Sequence, residues 1–390
     1  MPSEQLTTIY SHHTVYLQRL GATEGFKVTP YLELIENDVV SILNKYRKRK
    51  ITAALQATIQ KEVNESSRKH LQDYTSQLKV ENRALGAYEG ELAASTLNGL
   101  IDDEDFNAVS PSAAVINSVA NITPIKLGDN SYTSYSSMMS NYWQKWANEV
   151  DGIVLNGFQE GATIREVTNS ILSQIEVSKS GTTKSVFDRA RRSARSLAVT
   201  GTNHYANTAR IAFVDENDQL LEGYRFLAVN DSKTSSRCRS LDQRVFKVGS
   251  SDLKKATPPL HPHCRSALTF EVADKYKLDS DETKKASSFN IDGKRDPKPI
   301  DSDSIYYANM SKLNARDQDN ILGPTLGKAF RRMDNPAQFA KATLDEQFNP
   351  LTIKQLRKKN DDLGKILQQI EKEKKAARLA RINAKNKTNT

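Results

Sequence analysis

The stretch Tyr224-Arg-Phe-Leu-Ala-Val229, continued by Asn230-Asp-Ser-Lys-Thr-Ser-Ser-Arg-Cys238-Arg-Ser-Leu-Asp242 and closed by Pro258-Pro-Leu-His261-Pro-His263-Cys264-Arg265, decides how the rest of the chain is read. Apolar and aromatic residues at 224–229 predict a short buried strand, and the Asn, Asp and Ser residues after it carry turn chemistry. A strand therefore delivers the chain into an irregular loop. That loop holds both cysteines of the protein and two of its six histidines.

Two thiolates and an imidazole from Cys238, Cys264 and His261 form a set that zinc accepts, and such a clip would hold a segment with little apolar material. Two other readings stand beside it: the cysteines pack as small, soft side chains, which is the commoner outcome, or they pair as a disulfide. The CxxC pair that gives zinc ribbons their specificity is absent. Under any of these readings His261 gives one ring N–H to a carbonyl or to Asp242, and Arg265 binds Asp231 or Asp242 through two hydrogen bonds. Pro258, Pro259 and Pro262 reduce loop freedom. A nuclease built on His261, His263 and Asp231 or Asp242, or thiol chemistry at either cysteine, would need more. No compact carboxylate set, nucleophile-bearing helix or phosphate-cradling glycine loop accompanies these residues. The expectation is a structural motif of Asp231, Cys238, Asp242, His261, His263, Cys264 and Arg265, with no catalytic residue.

The pattern Asp231, Ser235, Cys238, Leu241-Asp242, Phe246, then Pro258-Pro-Leu-His261-Pro-x-Cys264-Arg265 resembles the signature of phage minor head proteins, the head morphogenesis family of Mu-type and SPP1-type phages. The two elements together are far more specific than either alone. Many members carry a further cysteine near each; here Ser235 and Ser266 stand instead, which leaves Cys238, His261 and Cys264 as the metal candidates. The resemblance runs over residues 138–358. It takes in a helical hairpin around Gly157-x-x-x-Gly161, the element Gln318-x-x-Ile-Leu-Gly323, and Leu351-Thr-x-x-x-Leu356. It is similar only loosely along Asn203, Tyr205, Asn207 and Arg210. The resemblance implies a minor capsid component of the virion, assembled in the host cytoplasm with no membrane. Its implied partners are the portal protein, the major capsid or scaffolding protein, and packaged double-stranded DNA.

At 390 residues, with 37% hydrophobic and 26% charged, the chain can bury two or three cores. No apolar run reaches membrane-spanning length, and the first ten residues lack the features of a signal peptide. A net charge of +9 is moderate for this length, so its placement matters more than its size. Two clusters are candidates for nucleic-acid contact: Lys45, Arg47, Lys48, Arg49 and Lys50, and Arg189, Arg191, Arg192 and Arg195. A solvated helix face explains such clusters about as often. A third run of charge lies near the end of the chain. A basic DNA-binding protein without a capsid role is the main alternative function, and a metal-dependent nuclease the weaker one.

The fold class read from these patterns is α+β and predominantly helical. Residues 1–100 form a helical region, with a short arm or helix over 1–25, one stripe from Leu32 to Ile59 and another from Leu71 to Leu92. A Ser-, Asn- and Pro-rich linker over 101–137 carries a short helix near Ala113 to Val119. A central domain follows over 138–275, in which Gly157 ends a Trp143/Trp146 helix, Thr163 and Glu166 form a capping box, and Lys184 to Arg210 form a helix that Thr200-Gly-Thr202 kinks. Ile211–Val214, Tyr224–Val229 and Ala267–Val272 are expected as the strands of a small antiparallel sheet carrying the Cys/His loop. A connector at 276–304, a small helical module at 305–360 and a charged helical or disordered tail at 361–390 complete the reading, with Asn383–Thr390 disordered.

Overall fold

The computed structural model describes residues 2–49, 52–128, 131–173, 176–177, 183–184, 186–276, 285–286, 300–301 and 306–388. The chain opens with three helices, α1 (Pro2–Phe26), α2 (Thr29–Lys45) and α3 (Ala53–Leu100). Pro30 lies in the first turn of α2, where its missing N–H costs nothing, and Leu32, Ile35, Val39 and Leu43 line its buried face. The apolar stripe expected to run unbroken to Ile59 is interrupted. Arg47, Lys48 and Arg49 offer nothing to bury, and Thr52 caps a new helix by accepting a hydrogen bond from the Leu55 N–H at 3.2 Å. α3 then runs as one helix through the end of the first expected stripe and the whole of the second.

The segment expected as a linker is stitched down. Asn98 brackets Ala108 with two hydrogen bonds of 2.8 and 2.9 Å, and Asn217 brackets Val109 with two of the same lengths. Helix α4 (Ala113–Ile122) forms where the sequence predicts it. It packs along α3 and α7, and Ile116 lies beside Gly86.

Three helices follow: α5 (Tyr135–Gln159), α6 (Ile164–Ser173) and α7 (Val186–Glu216). Gly157 does not end α5. It lies inside the helix where a Cβ would come within 2.7 Å of Val167 on α6, and the chain turns at Gly161, whose φ is +75°. The capping box forms as read: the Thr163 N–H donates to Glu166 at 2.7 Å, and the Glu166 N–H to the Thr163 hydroxyl at 3.3 Å. Trp146 is buried and Trp143 packs beside it, both within the core shared by α2, α3, α5, α6 and the first half of α7.

α7 passes through Thr200-Gly-Thr202 and through Ile211–Val214, where the sequence predicts a kink and a strand. No turn residue separates Ile211–Val214 from the helix before them, so it continues to Glu216. The Asn217 side chain then ends it by donating to the Phe213 carbonyl at 2.7 Å. The sheet therefore consists of β1 (Leu221–Leu227), β2 (Val245–Lys247) and β3 (Ala267–Val272), all antiparallel, in the order β2-β1-β3. Tyr224 pairs with Phe246 on one side and Phe270 on the other. The strand not foreseen is β2, too short to show an alternation of its own.

Two short helices, α8 (Ser236–Leu241) and α9 (Ser251–Ala256), sit in the connections between strands. Beyond the sheet lie α10 (Tyr306–Ser311), α11 (Ala315–Leu322), α12 (Pro324–Phe330), α13 (Pro336–Ala342), α14 (Ile353–Leu356) and α15 (Asp362–Thr388). Tyr306, Tyr307, Met310, Phe330, Phe339 and Leu356 form their core. The segment expected as a tail contributes to it: Leu363, Leu367 and Ile370 recur at helical spacing and are buried there. The stretch Asn383–Thr390, expected to be disordered, continues α15 as far as Thr388, and its last two residues lie outside the described residues. Most of the connector expected at 276–304 also lies outside them. Among the described residues no helix is long and apolar enough to cross a membrane.

Candidate metal centre

β1 leads directly into the Cys/His loop. The Lys233 N–H and the Thr234 hydroxyl both donate to Asp231, so the turn after the strand closes on its own carboxylate. Arg265 then binds that carboxylate through both guanidinium nitrogens, at 2.5 and 2.6 Å. Burial works against the Asp231 charge, but Arg265 outweighs it and holds the carboxyl below its usual range. Of the two partners read for Arg265, Asp231 is the one used. Asp242 has a different task. It accepts the N–H groups of Ala228 at 2.8 Å and Tyr306 at 2.9 Å, and complete burial pushes its carboxyl up to about 7.

Ser235 caps α8, and one turn later Cys238 meets the far end of the loop. Its Sγ lies 3.8 Å from Cys264 Sγ and 3.5 Å from His261 Nε2, and the three donor atoms lie within 4.8 Å of one another. A zinc ion with bonds of about 2.3 Å to sulfur and about 2.0 Å to nitrogen, at tetrahedral angles, holds two sulfurs about 3.8 Å apart and sulfur and nitrogen about 3.5 Å apart. The cluster fits that ion. The sulfurs are not joined as a disulfide. The His261 Nδ1 lies 2.9 Å from the Pro262 carbonyl, which can only accept, so in the neutral ring the Nε2 lone pair is left for a metal. Burial opposes charge on Cys264, yet the hydrogen bond from Cys238 prevails and holds its thiol well below the usual range. That same hydrogen bond, together with burial, raises Cys238. The cluster can chelate a metal cation through three ligands. His263, two residues on, is exposed with a φ of +58° and stands outside it.

The frame behind the cluster comes from α7. Thr200, Asn203, Asn207 and Arg210 follow one another at intervals of three and four, and each holds the chain that leaves the loop. Thr200 accepts the His263 N–H at 3.3 Å, Asn203 donates to the Ser266 carbonyl at 2.9 Å, and Asn207 accepts the Leu268 N–H at 2.7 Å. Arg210 donates to the Leu268 carbonyl at 3.3 Å and pairs with the fully buried Glu89 of α3 at 2.7 Å. His13 of α1 bonds the other Glu89 oxygen, and Gln18 of α1 donates to the Cys264 carbonyl at 3.2 Å. On the opposite side, Arg237 of α8 donates to the carbonyls of Phe348 and Leu260 at 2.9 Å and to Asn349 at 3.0 Å. Arg239 reaches the Ile321 carbonyl at 3.1 Å. α8 is thus a bolt between the sheet and the helices that follow it.

A continuous span of the chain, from the middle of α5 through α6, α7 and the Cys/His loop to β3, therefore carries the polar frame, the cluster and the sheet as one unit. Residues 148–269 match the family described as Phage Mu protein F like protein. No curated protein and no solved structure matches the chain. The Mu F-like region is narrower than the 138–358 over which the sequence motifs resemble minor head proteins. It contains Asp231, Cys238, Asp242, His261, His263, Cys264 and Arg265, and it leaves out α1–α4 and α10–α15.

The polar ladder on α7 inside the Mu F-like region carries only a loose resemblance in the sequence. Its signal is there: polar residues at 200, 203, 207 and 210 share one helix face among small and aromatic neighbours. The two basic clusters are built differently from the loop. Lys45 pairs with Glu62 at 2.8 Å, Arg49 lies over the Tyr46 ring, and Arg47 and Lys48 are exposed; Lys50 lies outside the described residues. Arg189 pairs with Glu149 at 3.0 Å, Arg191 with Asp188 at 3.3 Å, and Arg195 covers the Phe26 ring. Arg192 is exposed.

Proposed function

We propose that this chain is a minor head protein of a double-stranded DNA phage, joining portal and shell or scaffolding proteins in the host cytoplasm and remaining in the virion, with Cys238, His261 and Cys264 holding a zinc ion. The observation that carries the reading is the Mu F-like match over residues 148–269, the span that also contains the ligand cluster. The zinc serves as a clip. It joins α8, whose Arg237 and Arg239 grip the helices beyond the sheet, to the loop end that α7 and α1 hold.

The role is structural and the protein is not an enzyme. Asp231 is committed to Arg265 and Asp242 to backbone N–H groups, so neither carboxylate is left as a general base beside the cluster. Copurification with procapsids that still lack DNA tests the assembly role; recovery only on naked DNA would favour the DNA-binding alternative. The zinc is tested by measuring metal in freshly purified wild-type protein and in Cys238→Ser and Cys264→Ser. About one zinc per chain is expected in the wild type, with loss in both variants. Metal-free wild-type protein would remove the clip from the reading.

A further inference from the structure

α1 and α3 run antiparallel over α7, with His13 facing Glu89 and Lys27 reaching Glu81. α1 is drawn down onto α7 at Gly21, where a Cβ would come within 2.8 Å of the Val199 Cα and 3.1 Å of the Thr202 hydroxyl. Between α1 and α3 lies a cleft of about 260 Å³. Tyr16, Tyr88, Leu20 and Leu85 supply its apolar lining, and Glu24, Glu81 and Thr202 its polar groups. Of these residues only Thr202 belongs to the Mu F-like region.

In a chain of net charge +9 this cleft is lined by two carboxylates and no cation. Lys27 answers them from outside the lining, with its Nζ 2.8 Å from one oxygen of Glu24 and 3.5 Å from one of Glu81. One positive charge therefore faces two negative ones, and the second oxygen of each carboxylate has no partner among the described residues. The hydroxyl of Thr202, a residue only 1% exposed, has none either. Folded chains rarely leave such a group unmatched. Tyr16 and Tyr88 are half exposed, and a tyrosine face attracts cations. A metal ion needs more donors than two carboxylates, and among the described residues three such side chains meet only at Cys238, His261 and Cys264. Both carboxylates repel an anion. An uncharged apolar molecule would cover Leu20 and Leu85 while leaving the carboxylate oxygens and the Thr202 hydroxyl unpaired in a drier cleft. An alkyl stem ending in a cation satisfies all of them: the stem lies on the leucines and tyrosines, and the charged N–H groups meet the carboxylates and the hydroxyl.

We propose that the cleft between α1 and α3 binds one alkylammonium or alkylguanidinium group, the chemistry shared by a lysine or arginine side chain of a partner protein and by one end of a free polyamine. The proposal stands apart from the phage role and from the zinc clip, so neither the procapsid nor the metal measurement bears on it. The test titrates n-pentylammonium into the full chain by calorimetry, with n-pentanol as the uncharged control. Saturable binding of the ammonium and none of the alcohol is expected. Glu24→Gln and Glu81→Gln should each weaken it by about tenfold or more, and Tyr88→Leu by about two- to fivefold. Glu81 is the more exposed of the two carboxylates, so Glu81→Gln carries the test if a thermal melt shows that Glu24→Gln disturbs the fold. Two further ligands separate the sources. Capped lysine or arginine amides that bind at least as tightly as n-pentylammonium identify a protein side chain as the occupant, whereas spermidine binding with the capped amides excluded identifies a free polyamine. Absence of binding by every amine overturns the proposal. So does pentanol binding as tightly as the ammonium, or ammonium binding that Glu81→Gln leaves unchanged.

Discussion

The first half of α7, residues 186–199, buries Val186, Phe187, Ala190, Ala194, Leu197 and Ala198 while Asp188, Arg192 and Arg195 face solvent. The second half, residues 200–210, is buried on all sides, and Thr200, Asn203, His204, Asn207, Thr208 and Arg210 make up much of it. One half is held by the removal of apolar surface from water, which is indifferent to direction. The other is held by hydrogen bonds whose partners come from α3, α4, β3 and the loop just before β3, and each must be in place because an unpaired buried polar group costs more than a paired one gains. The first arrangement tolerates shape changes in proportion to the volume removed; the second fails at single atoms.

The most damaging way to break the second half is Arg210→Met, which leaves the Glu89 carboxylate, at 0% side-chain exposure, with His13 in place of a guanidinium partner. A loss of about 3–5 kcal/mol is expected, read from the urea midpoint. A loss below about 1 kcal/mol would show that the pair is dispensable. In the first half, Leu197→Ala should cost about 2–4 kcal/mol by the same measurement, and a nearly neutral result would mean that the apolar side is not what holds it. Asn207→Ala leaves the Leu268 N–H without its 2.7 Å acceptor and should cost about 1–3 kcal/mol. Because that strand leads back to Cys264, the variant should also weaken zinc retention under chelator challenge, an effect that Leu197→Ala should not share.

The smallest effect distinguishes the halves by pH. Burial lowers the His204 imidazole to about 4, while its Nε2 lies 2.8 Å from the Ala120 carbonyl of α4. The folded value lies below the unfolded one of 6.5. The unfolded chain therefore takes up a proton first as pH falls, so the stability tied to neutral His204 is full above 6.5 and is lost as pH drops towards 4. His204→Gln should flatten the melting temperature over that window relative to wild type. An unchanged acid limb would place the pH dependence elsewhere.

Legibility follows the same division. Helix α2, the capping box at Thr163 and Glu166, and strand β3 are readable because each is written in neighbouring residues: a stripe, a cap, a run of apolar and β-branched side chains. The Cys238, His261 and Cys264 set is readable as a candidate because sulfur and imidazole are rare and clustered. Ile211–Val214 misleads because a short apolar run suits a strand or a buried helix equally, and length is no guide at four residues. β2 escapes notice because three residues cannot display a period. The stretch at 101–137 looks loose because its anchors, Asn98 and Asn217, lie in other segments.

By itself the sequence determined where helices bury their stripes and which residues can bind a soft cation. Periodicity, side-chain chemistry and net charge are properties of residues a few positions apart, and they survive without a fold. Only the tertiary structure decided that Arg265 takes Asp231 while Asp242 holds backbone N–H groups. It alone brought two sulfurs to 3.8 Å across 26 residues, and gave Arg210 to a glutamate 121 residues away. Those choices depend on which surfaces meet once water is excluded, and directional bonds between distant groups acquire their value only after the apolar cores have brought the groups together.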